Sequence, residues 1–128
     1  MPGREDFQYA VVRVVPRVER GECLNAGVVL FCRRLGFLAA RTELDEAALR
    51  ALAPDCDPDE VRPALETLER VAAGDPVGGP IARLEPSERF HWLTSPASTI
   101  VQTSPVHTGL TDDPAAELDH LFGELVRR

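Results

Sequence analysis

From Phe7 to Val15 large apolar residues occupy both parities of the chain, valine dominates, and only Gln8 and Arg13 interrupt the run. That pattern predicts a β-strand covered on both faces, with Pro16 ending it. Leu24 to Cys32 is a second β-branched apolar run and Phe37 to Thr42 a third. Arg33-Arg34-Leu35-Gly36 between them has the composition of a turn, so the two runs pair as an antiparallel hairpin. Gly27, inside the second run, removes a side chain where another backbone or a ligand approaches closely.

After Asp45 the period lengthens. Ala48, Leu49 and Leu52 recur on one helical face, and Ala53-Pro54-Asp55 stops the helix. Val61, Leu65, Leu68 and Ala72 make the stripe of a second helix closed by Gly74. This helix starts after Asp57 or Asp59, and Pro63, tolerated only in a first turn, favours a start near Asp59. The Gly/Pro-rich segment from Gly74 to Pro86 crosses back to the sheet. Ser87 to Leu93 reads as a short helix, since Phe90 and Leu93 are three apart, with a strand as the alternative. Ser98 to Thr103 reads as a fourth strand. Asp113-Pro114 supplies a cap and a first-turn proline for a last helix with the stripe Leu118, Leu121, Phe122 and Leu125. The sum is an α+β domain: a small, mostly antiparallel sheet of three to four strands with helices packed on one face.

At 128 residues, 44% hydrophobic and 27% charged, the chain fits one globular domain rather than a disordered or fibrous class. The longest uncharged apolar run, Ala26 to Cys32, is too short to span a membrane, and no signal-type apolar block follows Met1. The expectation is a soluble cytoplasmic protein. Cys23, Cys32 and Cys56 cannot all pair within the chain and show no C-x-x-C spacing, so they read as reduced thiols with no metal between them. The net charge is -7, and between Glu43 and Arg70 nine carboxylates stand against three arginines, read as solvated helical faces. This balance excludes the basic footprint of a nucleic-acid binder.

Against that acidity, the stretch from Arg89 to Gly109 contains no carboxylate, yet it holds seven hydroxyl side chains, the only Trp, and two of the three His. Arg89, Gln102, Ser104 and His107 are its candidate polar site residues, whereas Leu93, Ile100, Val101 and Trp92 read as scaffold and His91 as half-buried packing. Ser104 and His107 fall in one tight turn, which invites a nucleophile and base pair, but no Gly-x-Ser-x-Gly elbow surrounds Ser104 and Asp112 or Asp113 is more simply a helix cap. A second candidate cluster is the loop before the second strand. There Arg17 and Arg20 form an anion clamp oriented by Asn25, or Arg20 simply pairs with Glu22 or Glu19 on a solvated loop. Gly78-Gly79 lacks the lysine of a phosphate loop, and no cofactor or metal is implied.

Arg-Gly-Glu-x-x-Asn-x-Gly-Val-Val-Leu at 20–30 and Arg-Phe-x-Trp-Leu-Thr-x-Pro-x-Ser-Thr-x-x-Gln-x-Ser-Pro-Val-His-Thr-Gly at 89–109 resemble the bacterial family filed as domain of unknown function 3037. The resemblance covers nearly the whole chain. It implies a short cytoplasmic protein, often encoded beside a HipA-like kinase and therefore a possible partner of one, but it implies no reaction. Two functions follow. One is an interaction or regulatory module that docks a partner protein or an anionic ligand on Arg17, Arg20, Glu22, Asn25, Arg89, Gln102, Ser104 and His107. The other is a hydrolase or transferase acting on a phosphate-bearing small molecule, with His107 as acid/base and Arg17, Arg20 or Arg89 stabilising negative charge. The second requires His107 and those arginines in one cleft. A homodimer through an exposed sheet edge is a further expectation.

Overall fold

The computed structural model describes residues 3–97 and 99–127. The valine-rich strand β1 (Glu5–Val14) runs through the middle of an antiparallel sheet. β2 (Leu24–Cys32) pairs along one of its edges and β3 (Phe37–Thr42) continues outward from β2, as the hairpin pattern predicts. Along the other edge of β1 lie two short strands end to end, β4 (Val101–Thr103) and β5 (His107–Thr111). The sheet thus has five strands, more than the three to four expected. β5 is the addition, and it was hidden because its sequence, His-Thr-Gly-Leu-Thr, is polar and carries a glycine. Of the expected Ser98–Thr103 strand, Ser98 lies outside the described residues and the observed strand begins at Val101.

Gly27 sits where the backbone of β3 comes close. A Cβ there would lie 2.7 Å from the Arg41 carbonyl oxygen and 2.9 Å from the Thr42 methyl, so the close approach read from the sequence is made by the neighbouring strand and not by a ligand. Next to it the β1–β2 register jumps, Val12 facing Gly27 but Arg13 facing Asn25, which leaves Ala26 as the extra residue of a β-bulge. The bulge changes parity. Leu24 and Ala26 join Val29 and Phe31 on one face, while Val28, Leu30 and Cys32 turn to the other.

Both faces are therefore apolar and both are covered. Helices α1 (Glu46–Leu52), α2 (Pro58–Ala73) and α3 (Pro86–Leu93) pack over Ala10, Val12 and Val14 of β1. The expectation of helices on one face holds for these three only. α4 (Pro114–Leu125) lies across the opposite face, where Leu118 and Phe122, with Val126 just beyond the helix, close over Phe7, Val28, Leu30 and Cys32. Each such side chain contributes about 1.5–3 kcal/mol when fully buried, so leaving that face bare would be costly. Asp45, Asp57 and Asp113 cap α1, α2 and α4 by accepting from Ala48, Asp59 and Ala116 backbone N–H groups.

Pro63 corrects the start of α2. The helix begins at Pro58, so Pro63 lies in its second turn, on the exposed side. The missing N–H leaves the Asp59 carbonyl without its helical partner at a position open to solvent, where water can serve it. Among the described residues, no helix is long and apolar enough to cross a membrane.

Candidate functional site

Ser104 is buried at the joint between β4 and β5, not in a tight turn. Pro105 breaks the ladder there, and the side chain repairs it. The Val11 N–H donates to Ser104 Oγ (2.9 Å), the Ser104 N–H donates to the Val11 carbonyl (2.8 Å), and the hydroxyl donates to the Pro105 carbonyl (2.9 Å). A hydroxyl bound on both sides by backbone has no proton path to His107, so the nucleophile and base reading of this pair fails on geometry. His107 pairs with Tyr9 in the sheet, exposed, its ring 5.2 Å from the Tyr9 ring on the α4 side.

The remaining candidates are also engaged by their own fold. Asn25 Nδ2 donates to the Leu125 carbonyl (3.0 Å) and ties the end of α4 to β2. Arg89 reaches from α3 to the Leu84 carbonyl (2.8 Å) and the Ala72 carbonyl (3.5 Å), against Gly74, so it closes the C-terminal end of α2. Its Nε is buried without a partner. Gln102 Nε2 donates to the Thr99 carbonyl (2.8 Å). Arg20 grips Glu22 (2.7 Å) and Arg17 reaches Asp55 (3.4 Å), both in the open. The Arg20 hydrogen bond and charge hold the Glu22 carboxyl below the ordinary carboxylate range and raise Arg20 in turn. Burial, then Glu60 and Asp57, push the Cys56 thiol up, which keeps it protonated and a poor nucleophile.

Of these residues Arg17, Arg20 and Glu22 come together at one hollow, and His107 lies away from them. Arg17 and Arg20 edge a hollow of about 270 Å³ against Leu52, Ala53 and Pro54 at the end of α1. His107 faces α4, beside Tyr9, and from Tyr9 to Val14 alone the strand spans about 17 Å at roughly 3.3 Å per residue. The single cleft that a His107-centred hydrolase or transferase requires is absent from the described residues.

What the sequence reading missed is a groove. Between α2, the end of α3, the loop that follows it and β4 lies a cavity of about 720 Å³. Pro63, Ala64 and Leu68 form its α2 wall, Trp92, Leu93 and Val101 its other apolar surface, and Thr67, Ser95, Thr99, Gln102 and Thr103 supply polar atoms. Glu60 is the sole charged residue in that lining. Trp92, expected to be scaffold, is 49% exposed here, and His91 is exposed as well. The signal was present: with Phe90 and Leu93 inward at a spacing of three, Trp92 falls off the buried face of α3.

The family model described as protein of unknown function, DUF3037, matches residues 9–126, a span that runs from β1 through α4 and contains the groove, and the chain belongs to that family. No curated protein and no solved structure matches it.

Proposed function

We propose that this member of the family is a small cytoplasmic protein-binding module, not an enzyme, and that its groove takes an apolar segment carrying a basic residue from a partner protein. The observation that carries this reading is the half-exposed Trp92 beside an apolar floor in a cavity of about 720 Å³. Monomeric proteins seldom leave such surface open, and Trp is among the residues that dominate interface energy when covered. Charge selects the partner. The lining holds Glu60 and no cation, Asp59 and Glu66 stand on the same helix, and the chain as a whole is at -7. A second copy brings the same charge, which favours a different protein over a homodimer.

The HipA-like kinase to which the family resemblance points is the first partner to test. Co-expression is expected to give a stoichiometric complex by size-exclusion chromatography with light scattering. Ala64→Arg and Trp92→Ala are expected to weaken it by about tenfold or more, as truncation of an interface anchor does, while Leu110→Ser, on exposed β5, leaves it unchanged. Absence of that complex removes this partner. The groove itself is read with apolar peptides bearing lysine or arginine, followed by the emission of the single Trp. A flat response, or equal binding to Ala64→Arg, overturns the reading.

A further inference from the structure

A second concavity lies on the same sheet face as the groove, along a different stripe of α3, and no residue of it figures in the reading above. Ser87, Phe90, His91 and Thr94 follow one another at i, i+3, i+4 and i+7, so one stripe of α3 and its last turn form a wall. The sheet supplies the opposite wall through Gln8 of β1 and Arg33 at the end of β2, and the hollow between them measures about 290 Å³. Its floor is the Phe31–Phe90 pair, ring centroids 5.2 Å apart, with Val106 on the rim.

In a chain of net charge -7, no carboxylate lines this hollow. Two neighbouring arginines at the β2–β3 turn differ in the same sense. Arg34 reaches Glu5 at 3.8 Å, whereas among the described residues Arg33 has no carboxylate within ion-pair distance. The Thr94 hydroxyl already donates to the Phe90 carbonyl at 2.8 Å and adds nothing. The Arg33 guanidinium, the Gln8 amide, the Ser87 hydroxyl and the His91 ring remain, and they approach from two walls. A planar carboxylate offers two acceptor oxygens in one plane; a tetrahedral phosphate offers three on different sides and accepts the guanidinium fork as well. The apolar floor and rim suit a ring attached to that phosphate.

We infer that this hollow binds a small phosphomonoester with a planar apolar group, its phosphate held by Arg33, Gln8, Ser87 and His91. The inference is independent of the groove and holds or fails without it. The test titrates the full chain with phenyl phosphate, inorganic phosphate, benzoate and phenol, following backbone amide signals by NMR. The expected result is a set of shifts centred on Gln8, Arg33, Ser87 and His91, with phenyl phosphate binding about threefold or more tighter than inorganic phosphate or benzoate, since the ring adds apolar contact. Arg33→Ala weakens phenyl phosphate by about tenfold, as loss of a charge-assisted bidentate contact does, and Arg34→Ala changes it less than about twofold. Binding of inorganic phosphate as tight as phenyl phosphate would reject the ring and leave a bare anion site. Shifts scattered over the surface, an equal loss in Arg34→Ala, or benzoate binding as tightly as phenyl phosphate would overturn the inference altogether.

Discussion

The two halves of the carboxylate-free stretch use similar side chains in opposite ways. At the joint of β4 and β5 the side chain turns to the molecule's own backbone: Ser104 stands in for a missing ladder partner of Val11, and further along β5 Gly109 leaves room for the ring of Phe7. Before that joint, Trp92, Ser95 and Thr99 line a groove while His91 lines the hollow beside Arg33. Hydroxyls, an imidazole and an apolar residue occur in both. What separates them is burial: Ser104 serves a buried N–H of the central strand, whereas Ser95 and Thr99 bond backbone carbonyls in the open, and composition carries no record of that.

Mutation should break the two halves differently. Ser104→Ala leaves the buried Val11 N–H without a partner and is expected to cost about 2 kcal/mol in urea or thermal unfolding. Trp92→Ala removes a half-covered side chain and is expected to weaken partner binding by far more than it lowers stability, so an unchanged affinity would erase the distinction. Gly109→Ala places a methyl 2.6 Å from the Phe7 ring, which is itself 5% exposed. Its expected cost is about 1–2 kcal/mol, and Phe7→Leu in the same background should recover part of it. The smallest effect belongs to the loop where Arg20 meets Glu22. Because Glu22 titrates below its ordinary value when folded, its stabilisation is present at neutral pH and is lost as pH falls through that lowered value. Glu22→Gln should therefore lower the neutral-pH melting temperature slightly and leave the melting temperature in strong acid unchanged.

Much of the framework was legible in the chain. β1, β2, β3 and the helices α1 and α4 announce themselves through valine runs, aspartate caps and helical stripes, because those signals are local. β5 was not legible: its one large apolar residue, Leu110, is 55% exposed, and its glycine is explained only by Phe7 across the sheet. The placement of α4 depended on the bulge at Ala26, which turns Val28, Leu30 and Cys32 away from α2, and a bulge is invisible until the partner strand is in register. Among the residues expected to bind a partner or ligand, Asn25, Arg89 and Ser104 bind the carbonyls of Leu125, Leu84 and Ala72 and the N–H of Val11. A sequence shows a polar group without showing the distant main chain that satisfies it.

The joint at Ser104-Pro105-Val106 has one more consequence. The outer border of the sheet on that side consists of a three-residue and a five-residue strand separated by three residues, of which Pro105 has no N–H to offer. An incoming extended chain finds no continuous row of donors and acceptors to copy, so the border resists seeding of a cross-β stack. The interruption at Ser104 and Pro105 thereby blunts this border of the sheet, and β3 is left as the border that an added strand could copy without a break.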